Sequence, residues 1–110
     1  MDFTVFLSSE ALSDLERAAW AHSTKEDPQA GARHANRLLD HALTLRKHPE
    51  RGAVVPQFRQ VELREIRDGF KRIIYCVDAA SRSINIVRFL LDTHRFDPPK
   101  LPRLPPDWRS

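Results

Sequence analysis

Three histidines, His34, His41 and His48, recur at intervals of seven residues, so metal binding is the first chemistry to test. Seven residues along a helix span about 10.5 Å, too far for two imidazoles to share one ion. These side chains therefore read as the polar flank of a helix, and neither a metal nor another cofactor is expected. The single cysteine, Cys76, lies in an apolar run with no histidine near it in sequence, which suits a small buried hydrophobe better than a thiolate nucleophile. Tyr75 beside it reads as a core aromatic whose hydroxyl finds a partner. The other chemistry-bearing groups are cationic: Arg64, Arg67, Arg72, Arg88, His94 and Arg95 all fall in the second half of the chain. Residues 1–45 carry a formal charge of −3 and residues 46–110 one of +6. A basic segment of this kind serves an acidic partner, whether nucleic acid or an acidic protein segment. The same groups also serve as solvated strand-end charges or salt-bridge partners.

The elements that must position these groups come from one compact unit. A chain of 110 residues is long enough for a single core and too short for two domains. With 41% apolar and 30% charged residues, the balance is that of a globular protein. One cysteine allows no internal disulfide, no apolar run approaches a membrane span, and Met1-Asp2-Phe3-Thr4 lacks the basic start of a secretory signal. A soluble, cytoplasmic protein with no membrane contact is expected.

Phe3 to Leu7 is short, aromatic and β-branched and reads as a strand with Phe3, Val5 and Leu7 on one face. From Ser9, a candidate N-cap, Leu12, Leu15, Ala18, Ala19 and His22 recur at helical spacing, with Asp14, Glu16 and Arg17 on the wet side. This predicts a helix over 9–24. Asp27-Pro28 supplies a cap and a first helical residue for a second helix reaching about Lys47, and the short link makes an antiparallel hairpin. His48-Pro49-Glu50-Arg51-Gly52 ends it. Val54-Val55 and then Val61 and Leu63 read as strand, with a phase change before Ile66 that suggests a bulge or irregular edge. Asp68-Gly69 is a hairpin turn pair leading into Phe70–Val77. In the last strand, Ser83 to Leu91, alternation sets Ile84, Ile86 and Leu90 against Val87, Phe89 and Leu91; apolar groups on both faces imply a central strand, with Arg88 the odd member. Five of the eight prolines follow Asp97, so 98–110, which includes Trp108, reads as an extended tail outside a domain of residues 1–97. The expected fold class is α+β: an N-terminal strand, an antiparallel helical hairpin, then a three- to four-stranded antiparallel sheet.

These pieces, in this order over residues 3–97, resemble the RelE/ParE toxins of type II toxin–antitoxin systems. The resemblance is carried by the first strand, the hairpin whose second helix opens at Asp27-Pro28, the turn His48-Pro49-Glu50-Arg51-Gly52, Leu63-Arg64-Glu65-Ile66, Arg72-Ile73-Ile74-Tyr75, and a last strand running into His94-Arg95. It implies a small growth-inhibiting toxin neutralised by a cognate antitoxin that wraps around it. RelE-like members cut mRNA in the ribosome; ParE-like members inhibit DNA gyrase. Metal-free RNA cleavage needs a base, an acid and cations at the phosphorus. On the resemblance, Arg67 falls at the phosphate-stabilising arginine of RelE-like ribonucleases and His94-Arg95 at their terminal catalytic or phosphate-binding groups, with Glu65 as base and His94 as acid. Arg64, Arg72 and Arg88 are the further candidates for contacting nucleic acid or another target.

The lysine pair that RelE carries before that arginine has no counterpart in Val61-Glu62-Leu63-Arg64-Glu65, and the hairpin over 9–47 is long. Both features favour the ParE-like branch, with plasmid stabilisation as the setting. Lys71 stands between Phe70 and Arg72, where the family has an aromatic residue directly before arginine; either the turn is one residue longer or Lys71 has taken the aromatic position. Oligomeric state is left open between a homodimer and a hetero-oligomer with the antitoxin. A non-toxic basic nucleic-acid-binding module is a further reading, supported by the +6 segment and weakened by the scarcity of aromatic stacking groups among its charges.

Overall fold

The computed structural model describes residues 2–55 and 62–91. Val61, His94, Arg95 and the tail 98–110 lie outside the described residues. The chain runs β1 (Thr4–Leu7), α1 (Ser9–His22), α2 (Ala30–Leu43) with a 3-10 turn at Thr44–Arg46, then β2 (Ala53–Val55), β3 (Leu63–Asp68), β4 (Lys71–Asp78) and β5 (Ser83–Leu91). The expected α+β arrangement is present, with the strands in one five-stranded sheet of order β1-β5-β4-β3-β2. Four strands form an antiparallel meander; β1 adds to its far side, parallel to β5 with Thr4 opposite Ser83 and Leu7 opposite Ile86. Among the described residues, no helix is long and apolar enough to cross a membrane.

The cap of α1 is Ser8 and not Ser9. Its Oγ accepts from Ala11 N at 3.0 Å and lies 2.8 Å from Val87 O, while its own N–H donates to Ile86 O at 3.0 Å. One residue thus starts the helix and fastens it to β5. The second helix begins at Ala30, two residues later than Asp27-Pro28 suggests, because those two residues close the connecting turn. There Asp27 N donates to Thr24 Oγ1 at 2.9 Å, and its carboxylate pairs with Arg33, whose hydrogen bond holds it below the usual carboxylate range. The two helices cross closely at Gly31, where a Cβ would fall 1.7 Å from the Ala19 carbonyl oxygen; any larger side chain would push them apart.

The helices cover one face of the sheet. Leu15, Ala18, Leu38, Ala42 and Leu45 pack there against Ile73, Tyr75, Ile84, Ile86 and Phe89, all at most 7% exposed. Each fully buried isoleucine or leucine of this set contributes roughly 1.5–3 kcal/mol. Val55, Leu63, Ile74, Cys76 and Val87 form a second buried cluster on the other face.

Two expectations are corrected here. β3 pairs with β4 without interruption from Leu63 to Asp68, so the phase change before Ile66 is no bulge: Leu63 faces one cluster and Ile66 the other. The irregularity lies between β4 and β5 at Ile74/Tyr75, where Ile74 pairs with Arg88 and Tyr75 with Ile86, leaving Val87 extra. An inserted residue shifts the two-residue period. Ile84, Ile86 and Phe89 therefore face the helices while Val87 and Leu90 face away, not the strict alternation expected.

The β3–β4 turn is two residues, Gly69-Phe70, between the paired Asp68 and Lys71. Gly69 has φ +57°, as the first position of a primed hairpin turn requires. The turn is not lengthened: Lys71 opens β4 directly before Arg72, and Phe70 sits 81% exposed at the tip.

Candidate functional site

The β3–β4 register brings three of the sequence-selected groups together. Arg67 is opposite Arg72, and Glu65 stands two residues from Arg67 on the face turned away from the helices. Arg72 Nε donates to Glu65 Oε2 at 2.6 Å, with both side chains less than a fifth exposed. Arg67 is exposed beside this pair. The cluster is two guanidiniums around one carboxylate.

Arg64 and Arg88 go elsewhere. Arg64 donates through Nη1 to Gly52 O at 2.8 Å and Glu50 O at 3.0 Å. Tyr75, its partner across the strands, accepts from Gly52 N at 2.9 Å. Together they pin the turn between α2 and β2. Burial pushes the Tyr75 hydroxyl above its ordinary pKa, against the lowering by the Gly52 N–H and by Arg64; it is a structural acceptor, as its sequence setting suggests.

Arg88 meets a residue that sequence periodicity had placed on the wet side. Asp14 is only 6% exposed. Its Oδ2 accepts from Arg88 Nε at 2.7 Å and Phe89 N at 3.0 Å, and its Oδ1 from Arg88 Nη2 at 3.0 Å and Arg17 Nη2 at 2.7 Å. The reason is the short first strand. β1 ends at Leu7, and beyond Ile86 that edge of β5 has no strand partner among the described residues, so α1 supplies the acceptor. The hydrogen bonding of Arg88 to the Asp14 carboxylate raises the Arg88 pKa above its ordinary value. Arg88 itself was the available signal: an arginine in an interior strand requires a carboxylate nearby. Leu12, assigned to the apolar face of α1, is conversely 49% exposed.

The histidines of α2 diverge. His41 Nδ1 lies 3.0 Å from Asp68 Oδ2, which β3 presents beside Arg37. His34 stacks on His22 of α1, ring centres 3.7 Å apart. Burial, then the His22, Arg37 and Lys71 charges, pull the His34 pKa down against the opposing effect of Asp68. Among the described residues, no three His, Cys, Asp or Glu side chains are grouped to hold a metal ion.

The fold recurs in toxin–antitoxin complexes. The chain superposes on the chromosomal ParDE system of P. aeruginosa with a TM-score of 0.64 and 14% identity, covering 81% of this chain and 95% of the other. It is similar to the RelBE2 toxin–antitoxin complex of Mycobacterium tuberculosis at a TM-score of 0.60, with 20% identity over 83% of this chain and 99% of that one. For the archaeal RelE–RelB complex of Pyrococcus horikoshii OT3 the values are 0.58, 19%, 86% and 100%. None of the curated proteins matches the chain significantly. The sequence model of the ParE toxin of type II toxin–antitoxin systems (parDE) matches residues 5–94. The chain belongs to this family.

Proposed function

We propose that this chain is the growth-arresting toxin of a type II toxin–antitoxin pair, neutralised by a cognate antitoxin, and that it acts by binding DNA gyrase and not by cutting RNA. The choice of mechanism is carried by the state of the arginines. Stabilising a phosphate transition state requires cations whose charge is not already spent. Arg72 is ion-paired with Glu65, Arg88 is bidentate on Asp14, and Arg64 is held by two carbonyl oxygens. The carboxylate that would serve as base, Glu65, is held in the first of these pairs. A binding inhibitor needs neither group in a catalytic state. The match to the ParE model over residues 5–94 supports the same branch.

The test is a short induction of the toxin with and without the adjacent open reading frame. It is read by gyrase supercoiling and by mapping of mRNA ends. Loss of supercoiling without new mRNA ends is expected, and His94→Ala trims at most an interface contact, where most residues cost less than about 1 kcal/mol. New ribosome-dependent ends in the parent that vanish in His94→Ala would instead establish the ribonuclease, with Arg67, His94 and Arg95 as its groups; a lost acid or base typically costs about 10²–10⁴ in rate.

A further inference from the structure

Between the second half of α1 and the ends of β4 and β5 lies an open cleft of about 360 Å³, within the size range of ligand sites. Ala18, Ala21, Phe89 and Leu91 supply apolar lining; Arg17, Lys71 and Arg88 supply positive charge, against the one carboxylate of Asp14. Both oxygens of Asp14 are already filled, by Arg88, Arg17 and Phe89 N. Three cations against one anion leave the cleft with a surplus of two positive charges. Arg17 keeps 70% of its side chain in solvent, and Lys71 makes no ion pair among the described residues.

This combination selects the class of partner. Of the rings that line the cleft, Phe89 is 3% exposed and His22 is already stacked on His34, which leaves little aromatic surface on which a nucleic-acid base would stack. Aliphatic lining with uncompensated cations fits a peptide carrying both apolar and acidic side chains. We infer that the cleft receives an acidic segment of the antitoxin, an apolar side chain entering beside Ala18, Ala21 and Leu91 and carboxylates meeting Lys71 and Arg17. The inference rests on the toxin reading above and assigns that partner a surface.

The test titrates the purified full chain with the product of the adjacent open reading frame, at low and at high salt. In Ala21→Glu/Lys71→Glu, the new carboxylates face those of the partner, and Kd should rise about tenfold or more. Binding to the parent should weaken with salt more than binding to the variant. Lys47→Glu is the charge control: it follows Arg46, whose carbonyl accepts from Phe3 N at the opposite end of the β1–β5 pair, and should leave Kd unchanged. Ala21 is exposed on its helix, so Ala21→Glu alone keeps the test valid should the double variant melt early. An unchanged Kd in a folded cleft variant overturns the cleft and leaves the toxin reading standing. Absence of any complex with the parent overturns both.

Discussion

Two carboxylates join the helices to the sheet, Asp14 between α1 and β5 and Asp68 between β3 and α2. Their bond lengths hardly differ: 2.7–3.0 Å around Asp14, and 2.9 and 3.0 Å from Asp68 to Arg37 and His41. Burial and the number of donors separate them. The Asp14 side chain is 5% exposed and accepts four hydrogen bonds, one from a strand N–H. Asp68 is 14% exposed, and its Arg37 partner is 63% exposed. The first carboxylate substitutes for a missing strand and is part of the sheet; the second is a clasp at the surface. Equal distances therefore do not imply equal worth, because the cost of losing a partner is set by what is left unsolvated.

The largest effect should come from Asp14→Ala, which leaves the Arg88 guanidinium and the Phe89 N–H without their acceptor. A loss of about 3–5 kcal/mol is expected in chemical denaturation, with a smaller loss of the same sign for Asp14→Asn. A cost below about 1 kcal/mol would place Asp14 in the class of Asp68 and break the contrast. Tyr75→Phe probes a fully buried junction between neutral groups. It strands the Gly52 N–H and should cost about 1–3 kcal/mol, read as a lowered denaturation midpoint with unchanged slope. Asp68→Ala should cost about 1 kcal/mol or less, since Arg37 falls back into water, and the loss should shrink as salt rises.

The smallest effect concerns the His22–His34 stack. The folded-state pKa of His34 lies below the ordinary 6.5, so the unfolded chain binds its proton more readily. Stability is then full above about pH 6.5 and declines as pH falls from there through the depressed folded value. Melting temperature against pH should show this decline, and His34→Gln should flatten part of it. A His34 ring that titrates above 6.5 by NMR would reverse the sign.

The candidate site was partly legible. A hairpin turn at Gly69 is enough to place Arg67 and Arg72 on neighbouring strands, since a short turn sets the register of its flanks. That Glu65 occupies Arg72 was not legible, because it depends on which rotamers meet across the pair. Asp14 was assigned to solvent because a helical period measures only position around the axis, and a polar residue at the flank looks the same whether water or a strand edge lies beyond it. The faces of β5 were read correctly up to Val87 and wrongly for Phe89 and Leu90, since counting by twos has no means of detecting the extra residue at Val87.

From the sequence alone follow the types and order of the elements, the hairpin between its breakers, the charge division between the two parts of the chain, and the likeness to the RelE/ParE toxins. These are local or cumulative properties, written in propensity, period and composition. Only the tertiary structure decided that β1 pairs in parallel with β5, that Ser8 and not Ser9 caps α1, that the bulge falls at Val87, and that Asp14 completes the strand edge. Three of these turn on contacts between residues more than 70 positions apart in the chain and the bulge on the register of β5 against β4, and such pairings are chosen by the packing of the whole sheet against its helices, which no local window contains.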